Sequence, residues 1–165
     1  MGKNLLIFCC LILAVMLTGC SNNKKKTEQF DERGLPIFSF DNEDSIAVRK
    51  LGDEYVARFS SKNFDAAADM LYTVRNDSVR PLSDSSRAGF VEAMKHIPMQ
   101  GCAIKEQTLR SDKDNQMRIA ILMTPNGDLE TERGTVNFFL NPVYIDGQWY
   151  LTLLDSYAEG VGLYH

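Results

Sequence analysis

The sequence predicts an α+β fold in which about three N-terminal helices pack on an antiparallel sheet of four or more strands. Before Pro98 the apolar residues recur at helical spacing, and after Pro98 they alternate at every second residue. Asp146-Gly147 stands between two apolar runs and predicts a type I′ hairpin, because that turn takes positive φ at both central positions. Helices followed by a run of hairpin-connected strands indicate this fold class.

Three helices are predicted from the apolar spacing. The first follows an acidic cap, Asp41 to Asp44, where Asp44 or Ser45 accepts hydrogen bonds from the first amides of the helix. The second runs from Phe64 to about Tyr72, after a polar break at residues 60–63, and the third is capped at residues 84–86. The apolar positions assigned to the three helices are Ile46, Leu51, Tyr55, Val56, Phe59, Phe64, Ala67, Ala68, Leu71, Phe90, Val91, Met94 and Ile97.

Four strands are predicted after Pro98, over residues 102–109, 117–123, 131–145 and 149–153. Asn141-Pro142 inside the third strand requires a bulge or an edge position, because proline has no amide hydrogen to donate. The sheet face opposite the helices is not fully polar. Its apolar residues either form a homodimer interface or are the scattered exposed apolar residues that most protein surfaces carry. Its apolar residues are Leu122, Phe139, Tyr150 and Leu154.

The first twenty residues predict an exported lipoprotein. Lys3 precedes a continuous apolar run, Leu5 to Leu17, which fits the h-region of a signal peptide and is shorter than the ~20 residues of a membrane span. Leu17-Thr18-Gly19-Cys20 resembles the lipobox of bacterial lipoproteins. The resemblance implies cleavage before Cys20 and lipidation of its thiol. An uncleaved signal anchor, or an ordinary signal peptide with a chance cysteine, is the alternative.

The predicted organisation is a signal peptide at residues 1–19, a lipidated cysteine with a tether and extended lead-in at 20–40, and one domain at 41–165. Two or more acyl chains give stable anchoring, so we expect the product in the cell envelope, held to a bacterial membrane. Acidic residues directly after the anchor would favour surface export, but Lys24 to Lys26 stand there. We therefore expect the outer membrane, with the domain facing the periplasm.

Charge and cysteine content limit the function classes. Without residues 1–19, which hold Lys3 and no acid, the net charge changes from −4 to −5, and a mildly acidic domain argues against nucleic acid as a partner. Cys9 and Cys10 leave with the signal peptide and Cys20 carries lipid, so Cys102 remains alone and the domain has no internal disulfide. We expect Cys102 to be a small buried hydrophobic residue.

The order of elements is similar to that of the nuclear-transport-factor-2-like, cystatin-like cone superfamily. Tyr55 to Leu71 resembles its opening pair of helices, and Gln116 to Leu154 resembles its closing strands. Asp146-Gly147-Gln148-Trp149-Tyr150 looks like the D-G-x-W hairpin of Bacteroidetes lipoproteins with cone domains of unknown function. The resemblance implies a curved sheet that wraps a long helix into a cone. The superfamily includes isomerases, dehydratases, small-ligand binders and adaptor or immunity proteins, so the fold does not define a function.

Three residues are candidates for a pocket inside such a cone: Tyr55, Tyr72 and Asp155. An isomerase of this fold needs a carboxylate base and acidic hydrogen-bond donors in an apolar interior. No motif fixes these three residues in such roles, so no catalytic residue of the family is carried over. Core tyrosines and a solvated aspartate are the alternative interpretation.

No metal or cofactor site is predicted. His96 and His165 have no cysteine or histidine at ligand spacing. Residues 112–115 begin like a calcium loop, but Met117 stands where glycine is needed and Met123 where glutamate is needed.

Two segments, Asp44-Ser45-Ile46 and Asp77-Ser78-Val79, look like the Asp-Ser-apolar sites of O-glycosylation in some Bacteroidetes.

The sequence therefore predicts a membrane-anchored lipoprotein whose cone domain binds a small apolar ligand or a protein partner without catalysis. An isomerase or dehydratase of the same fold is one alternative, and an inhibitor or immunity lipoprotein is another.

Overall fold

The computed structural model describes residues 29–30, 36–37 and 40–153. The predictions for the signal peptide at 1–19, for Cys20, for Asp155 and for the rest of the C-terminal tail concern residues outside this range. A short strand pair, β1 (Gln29–Phe30) with β2 (Pro36–Ile37), precedes the domain. Across the described part of the chain, no helix is both long enough and apolar enough to cross a membrane.

Three helices form as predicted, with two differences at their ends. They are α1 (Asn42–Ser60), α2 (Phe64–Ala68) and α3 (Asp84–Lys95). The cap of α1 is Asp41, whose carboxylate accepts from the Asp44 amide at 3.0 Å, while the Asp44 carboxylate accepts from the Asp41 amide at 3.2 Å. This reciprocal pair is a capping box, so the cap is the first residue of the predicted acidic segment, Asp41 to Asp44, and not Asp44 or Ser45. The cap of α3 is Ser83 rather than a residue of 84–86.

Six strands form one sheet in the order β4-β3-β8-β7-β6-β5. They are β3 (Leu71–Arg75), β4 (Ser78–Pro81), β5 (Gly101–Leu109), β6 (Asn115–Leu122), β7 (Thr135–Ile145) and β8 (Gln148–Leu153). Every neighbouring pair is antiparallel except β3 with β8, so the sheet is mixed. The α+β class with three helices on the sheet is confirmed.

The predicted second helix is too long, because its last part is a strand. Helix α2 ends at Ala68, and β3 begins three residues later. Asn76 and Asp77 both take positive φ, of 49° and 60°, and join β3 to β4 as a two-residue hairpin loop. No strand was predicted on either side of this turn.

The closing strands match the prediction more closely. Asp146 and Gly147 have φ of 52° and 82°, which confirms the type I′ geometry of the β7–β8 hairpin. Strand β7 begins at Thr135 rather than at Thr131, and the residues before it include Glu132 and Gly134, both with positive φ. An extended strand cannot contain such conformations, so the chain turns there instead.

Pro142 occupies a local edge position inside a central strand. Strand β7 pairs with β6 only up to Leu140, so beyond that residue its ladder runs to β8 alone. The Asn115 side chain continues the connection by donating to the Pro142 carbonyl at 2.7 Å, and the Asn115 amide donates to the Asn141 side chain at 2.9 Å. The lack of an amide hydrogen on Pro142 is therefore tolerated, as expected at the edge of a sheet.

The sheet is strongly curved. Lys113 lies in the β5–β6 turn and Asp77 in the β3–β4 turn, and their charged groups are 2.6 Å apart. These two hairpins hold the two opposite edge strands of the sheet, so their tips can meet only if the sheet curls. The curvature and the helices on one face agree with the cone-like arrangement that the resemblance implied.

Helix α1 lies very close to the sheet at Gly52. A Cβ atom at this position would be 2.5 Å from Met117 Cε and 2.7 Å from Ile104 Cδ1. Both neighbours are buried side chains of the sheet. Glycine in a helix interior costs about 0.5–1 kcal/mol relative to alanine. The absence of a side chain is therefore what allows this close packing.

We expect Gly52→Leu to destabilise the domain by about 1–3 kcal/mol, because the added atoms overpack the helix–sheet contact. The matched control is Gly89→Ala in α3, where a Cβ atom meets nothing within 4 Å. That control should be neutral or stabilise the domain by up to about 1 kcal/mol. Urea unfolding of both variants measures the difference, and a Gly52→Leu variant as stable as the wild type would contradict the packing argument.

Candidate functional site

The space between α1 and the sheet is filled by aromatic rings. Tyr55 and Phe59 from α1 lie nearly parallel to Phe138 of β7, with centroids 6.3 and 6.2 Å from that ring and 5.6 Å from each other. Phe64 meets Phe59 edge-on at 5.3 Å, and Phe90 contacts Phe138 at 6.4 Å. Such ring pairs add roughly 0.5–1.5 kcal/mol each beyond their burial, so this cluster anchors the helices to the sheet.

Helical and strand periodicity explain why these rings meet. Tyr55 and Phe59 are four residues apart and therefore share one face of α1. Phe138 pairs with Ile119 across the sheet, and both lie on the face toward the helices. Phe138 is only half-buried, and Val136, two residues earlier on the same face, is 46% exposed. The aromatic cluster thus reaches the surface along β7.

The hydroxyl of Tyr55 is the unusual atom of this interior. The residue is 0% exposed, and its oxygen has no hydrogen-bond partner among the described residues. Burial raises the pKa of Tyr55 well above its ordinary value, and the nearby Cys102 raises this pKa further. The phenol therefore stays protonated and is an unused hydrogen-bond donor. Buried polar groups in proteins are nearly always paired, so an unpaired one calls for an explanation.

Cys102 is buried, as predicted, and pairs with a residue that sequence reasoning missed. Its sulfur lies 3.0 Å from the Ser60 hydroxyl at the end of α1, and 3.9 Å from the Val56 carbonyl. Burial raises the pKa of the Cys102 thiol, and the Ser60 hydrogen bond opposes this only in part. A thiol of raised pKa is a poor nucleophile. Cys102 therefore contributes polarity and volume to this site rather than reactivity.

The structure does not bring Tyr55 and Tyr72 together. Leu71 is part of the core on the helix side of the sheet, so Tyr72, the next residue in β3, lies on the other face. There its ring meets Tyr150 edge-on at 5.0 Å. Tyr150 was predicted for that outer face, where it is half-buried. Asp155, the third candidate, lies outside the described residues.

The residues considered for glycosylation and for calcium binding belong to helix α1, strand β4 and the β5–β6 loop. Ser45 is inside α1, and both its hydroxyl and its carbonyl accept from Gln107. Ser78 is exposed and directly follows the β3–β4 turn. The Asn115 side chain accepts from the Arg110 and Ser111 amides and so closes the loop that resembled a calcium site. Within the described ranges, no three histidine, cysteine or acidic side chains gather as metal ligands.

A shallow concavity on the outer side of α1 is a second surface feature. Its volume is about 480 Å³, and Ile46, which is 59% exposed, lies on its wall. The other residues of its lining are Ser45, Arg49, Lys50 and Asp53. Arg49 and Asp53 form an ion pair at 3.0 Å. The positive charge of Lys50 therefore has no counter-ion among the other residues of this lining.

The comparisons with known proteins identify a solved structure but no family. No protein-family model matches the chain, and no curated protein matches it. A solved structure from Campylobacter jejuni, titled as a putative NTF2-like transpeptidase, matches with 14% sequence identity and a TM-score of 0.38. The match covers 65% of this chain and 98% of that one. A likeness at this identity and TM-score supports no conclusion about this chain.

We expect Tyr55→Phe to keep or raise stability at neutral pH, because the lost hydroxyl makes no hydrogen bond within the part of the chain that the structure describes. The stability of the variant relative to the wild type should increase at alkaline pH. In the wild type, the unfolded chain releases the tyrosine proton above about pH 10 while the folded chain retains it, so stability falls by up to about 1.4 kcal/mol per pH unit for this group. The variant lacks that part of the fall.

Urea unfolding at pH 7 and between pH 9 and 11 measures both effects. A loss of more than about 1.5 kcal/mol at pH 7 would show that the hydroxyl has a partner in solution, contrary to the structure. Cys102→Ala is a useful comparison, because it removes the other buried group of raised pKa and leaves the Tyr55 part of the alkaline fall in place.

Proposed function

We propose that the chain is an exported lipoprotein, held at a bacterial membrane through Cys20, whose domain binds a small apolar ligand without catalysis. The anchor is supported by the lipobox-like Leu17-Thr18-Gly19-Cys20 and the apolar run before it. The ligand is supported by one structural observation, the buried and unpartnered hydroxyl of Tyr55 inside an aromatic cluster.

The chemistry of this interior defines the class of ligand. The rings of Phe59 and Phe138, with centroids 5.6 and 6.3 Å from that of Tyr55, offer apolar contact, and the protonated phenol offers a single hydrogen bond. A suitable ligand is therefore apolar and carries one neutral oxygen acceptor, such as a ketone, an aldehyde or an ester. A phenol that pairs only on binding gains a full hydrogen bond, since the free state has none to give up.

Entry to this interior is favoured from the side of β7. Phe138 is half-buried and Val136 is exposed, whereas Tyr55 and Phe59 are closed off. The rings are in contact in this structure, so binding requires Phe138 to move aside. A ring at the border of the core can do so at lower cost than one inside it, because it makes fewer contacts.

The isomerase alternative needs a base beside the phenol. Among the described residues, the buried ionisable acid is Asp44, and its carboxylate accepts from Trp149 and caps α1. That alternative therefore depends on Asp155, which the structure does not describe.

The anchor makes a direct prediction. Protein purified from the membranes of a bacterial host should lack residues 1–19 and carry acyl mass on the peptide that begins at Cys20. Cys20→Ser should abolish that mass and release the protein from the membrane fraction, because acyl chains supply about 0.8 kcal/mol per buried CH₂ group. Intact-mass and peptide mass spectrometry measure this, and an unmodified chain that starts at Met1 would refute the anchor.

The ligand makes a second prediction, tested on the full chain in detergent. A panel of apolar ketones, aldehydes, esters and fatty acids is screened by thermal shift. A ligand present at a hundredfold excess over its Kd stabilises the protein by about 2.7 kcal/mol, which is a measurable shift in Tm. Tyr55→Phe should remove the shift while the unliganded Tm stays equal or higher.

Two matched variants serve as controls for that screen. Tyr72→Phe removes a phenol on the outer face of the sheet and should leave the shift unchanged. Ile46→Asp changes the concavity on α1 and should also leave it unchanged. Shifts that persist in Tyr55→Phe and vanish in Ile46→Asp would instead indicate binding on the surface of α1, as for a protein partner.

A further inference from the structure

Two serines of this chain have the same neighbours in sequence but lie in different structures. Asp44-Ser45-Ile46 and Asp77-Ser78-Val79 each place an acid before the serine and a β-branched apolar residue after it. The first segment is inside α1, where the Ser45 hydroxyl accepts from Gln107 at 3.2 Å and Asp44 is buried. The second spans the end of the β3–β4 turn and the start of β4. The structure therefore separates two segments that the sequence does not.

Ser78 has an open hydroxyl on an extended backbone. The residue is exposed, and its hydroxyl has no hydrogen-bond partner among the described residues. It pairs across the hairpin with Arg75, which is also exposed, whereas Val79 pairs with Val74 on the opposite face. Strand β4 is the last in the sheet order and, within the described ranges, pairs with β3 alone. An enzyme can therefore bind this strand along its free edge and reach the hydroxyl.

We propose that Ser78 is a site of O-glycosylation, recognised together with the Asp77 carboxylate and the Val79 side chain. The Ser78 oxygen attacks the anomeric carbon of a sugar carried on a lipid diphosphate. The bond from that carbon to the diphosphate breaks, the diphosphate leaves with the lipid, and the serine proton passes to a base of the transferase.

The carboxylate of Asp77 is available for this recognition. Its side chain is 82% exposed, although Lys113 lies 2.6 Å away. Ion pairs between exposed side chains contribute little free energy, so a transferase can replace Lys113 as the partner of Asp77. Asp44, in contrast, is committed to the α1 cap and to Trp149.

A sugar at Ser78 has a physical consequence for the domain. It would cover the free edge of β4, whose backbone groups could otherwise pair with a strand of another chain. The proposal requires export of the chain, which is the first part of the proposed function. It does not depend on a ligand in the aromatic interior.

Peptide mass spectrometry of the full chain, expressed with its own leader in a Bacteroidetes host, tests the site. We expect sugar mass on the peptide that contains Ser78. Its occupancy should be at least about tenfold higher than that of Ser45, because Ser45 fits an extended cleft only when the start of α1 opens. Ser78→Ala should remove the mass, Ser78→Thr should keep it, and Ser45→Ala should leave it unchanged.

A matched pair of variants tests the role of the carboxylate. Asp77→Asn removes the charge and keeps the turn, because asparagine readily adopts the positive φ of 60° found here. Lys113→Ala removes the same ion pair and leaves the acid in place. We expect about tenfold lower occupancy in Asp77→Asn, since a hydrogen bond to a charged group is lost, and unchanged occupancy in Lys113→Ala.

Four outcomes would overturn the proposal. Equal occupancy of Ser45 and Ser78 would mean that the sugar is added before the chain folds. Full occupancy in Asp77→Asn would mean that the acid is not recognised. A chain that lacks residues 1–19 and carries no sugar would refute the site while export stands. A chain that still begins at Met1 and carries no sugar would refute export and the site together.

Discussion

The close approach of α1 to the sheet is the constraint on which the rest of the structure depends. Gly52 leaves room for Met117 and Ile104 to reach the helix backbone. One turn later on the same face, Tyr55 can then lie against Phe138 in a nearly parallel arrangement. A larger residue at position 52 would raise the helix from the sheet and separate these rings, because protein interiors are too closely packed to absorb added volume. The aromatic interior therefore follows from the absence of one side chain.

The start of α1 is held by a second contact with the sheet. The Trp149 indole of β8 donates to the Asp44 carboxylate at 3.1 Å in a buried position, and Phe40 and Tyr144 lie against the Trp149 ring at 5.3 and 5.1 Å. Asp44 thus completes the capping box and receives the indole at the same time. This contact fixes the direction of α1, because the helix is held at its first turn as well as at Gly52. The β7–β8 hairpin that carries Trp149 is therefore part of the same framework.

Much of this fold could be predicted from sequence, because its signals are local. The helical spacing of α1, the alternation in β6 and the Asp146-Gly147 turn each depend on residues that are neighbours in sequence. The error at residues 69–81 has a local cause as well. Leu71–Arg75 holds Tyr, Thr and Val, which favour strands, yet the apolar spacing from Phe64 continues through Leu71 and suggested a longer helix. The parallel pairing of β3 with β8 joins residues about eighty positions apart, and no local signal carries it.

The candidate site could be predicted only in part, for the same reason. The spacing of Tyr55 and Phe59 indicated a buried helix face, which is confirmed. The contact of Ser60 with Cys102 spans 42 positions, and the isolation of the Tyr55 hydroxyl depends on every residue that surrounds it. Tyr72 shows how small a change misleads such reasoning. One step along a strand moves a side chain to the other face of the sheet, so a tyrosine expected beside Tyr55 lies on the outer surface instead.

The buried polar groups of the described domain show why Tyr55 stands apart. Asp44 accepts from Trp149, the Asn115 amide bridges β6 to β7, and the Thr152 hydroxyl donates to the Asn141 carbonyl at 2.7 Å. Gln107 also has an unpaired oxygen, but the nitrogen of the same amide bonds Ser45 at the edge of the sheet. Phenylalanine at position 55 would keep the ring contacts and avoid the cost of the unpaired hydroxyl. A residue that costs stability and that a simpler residue could replace is characteristic of binding sites, where stability is traded for function.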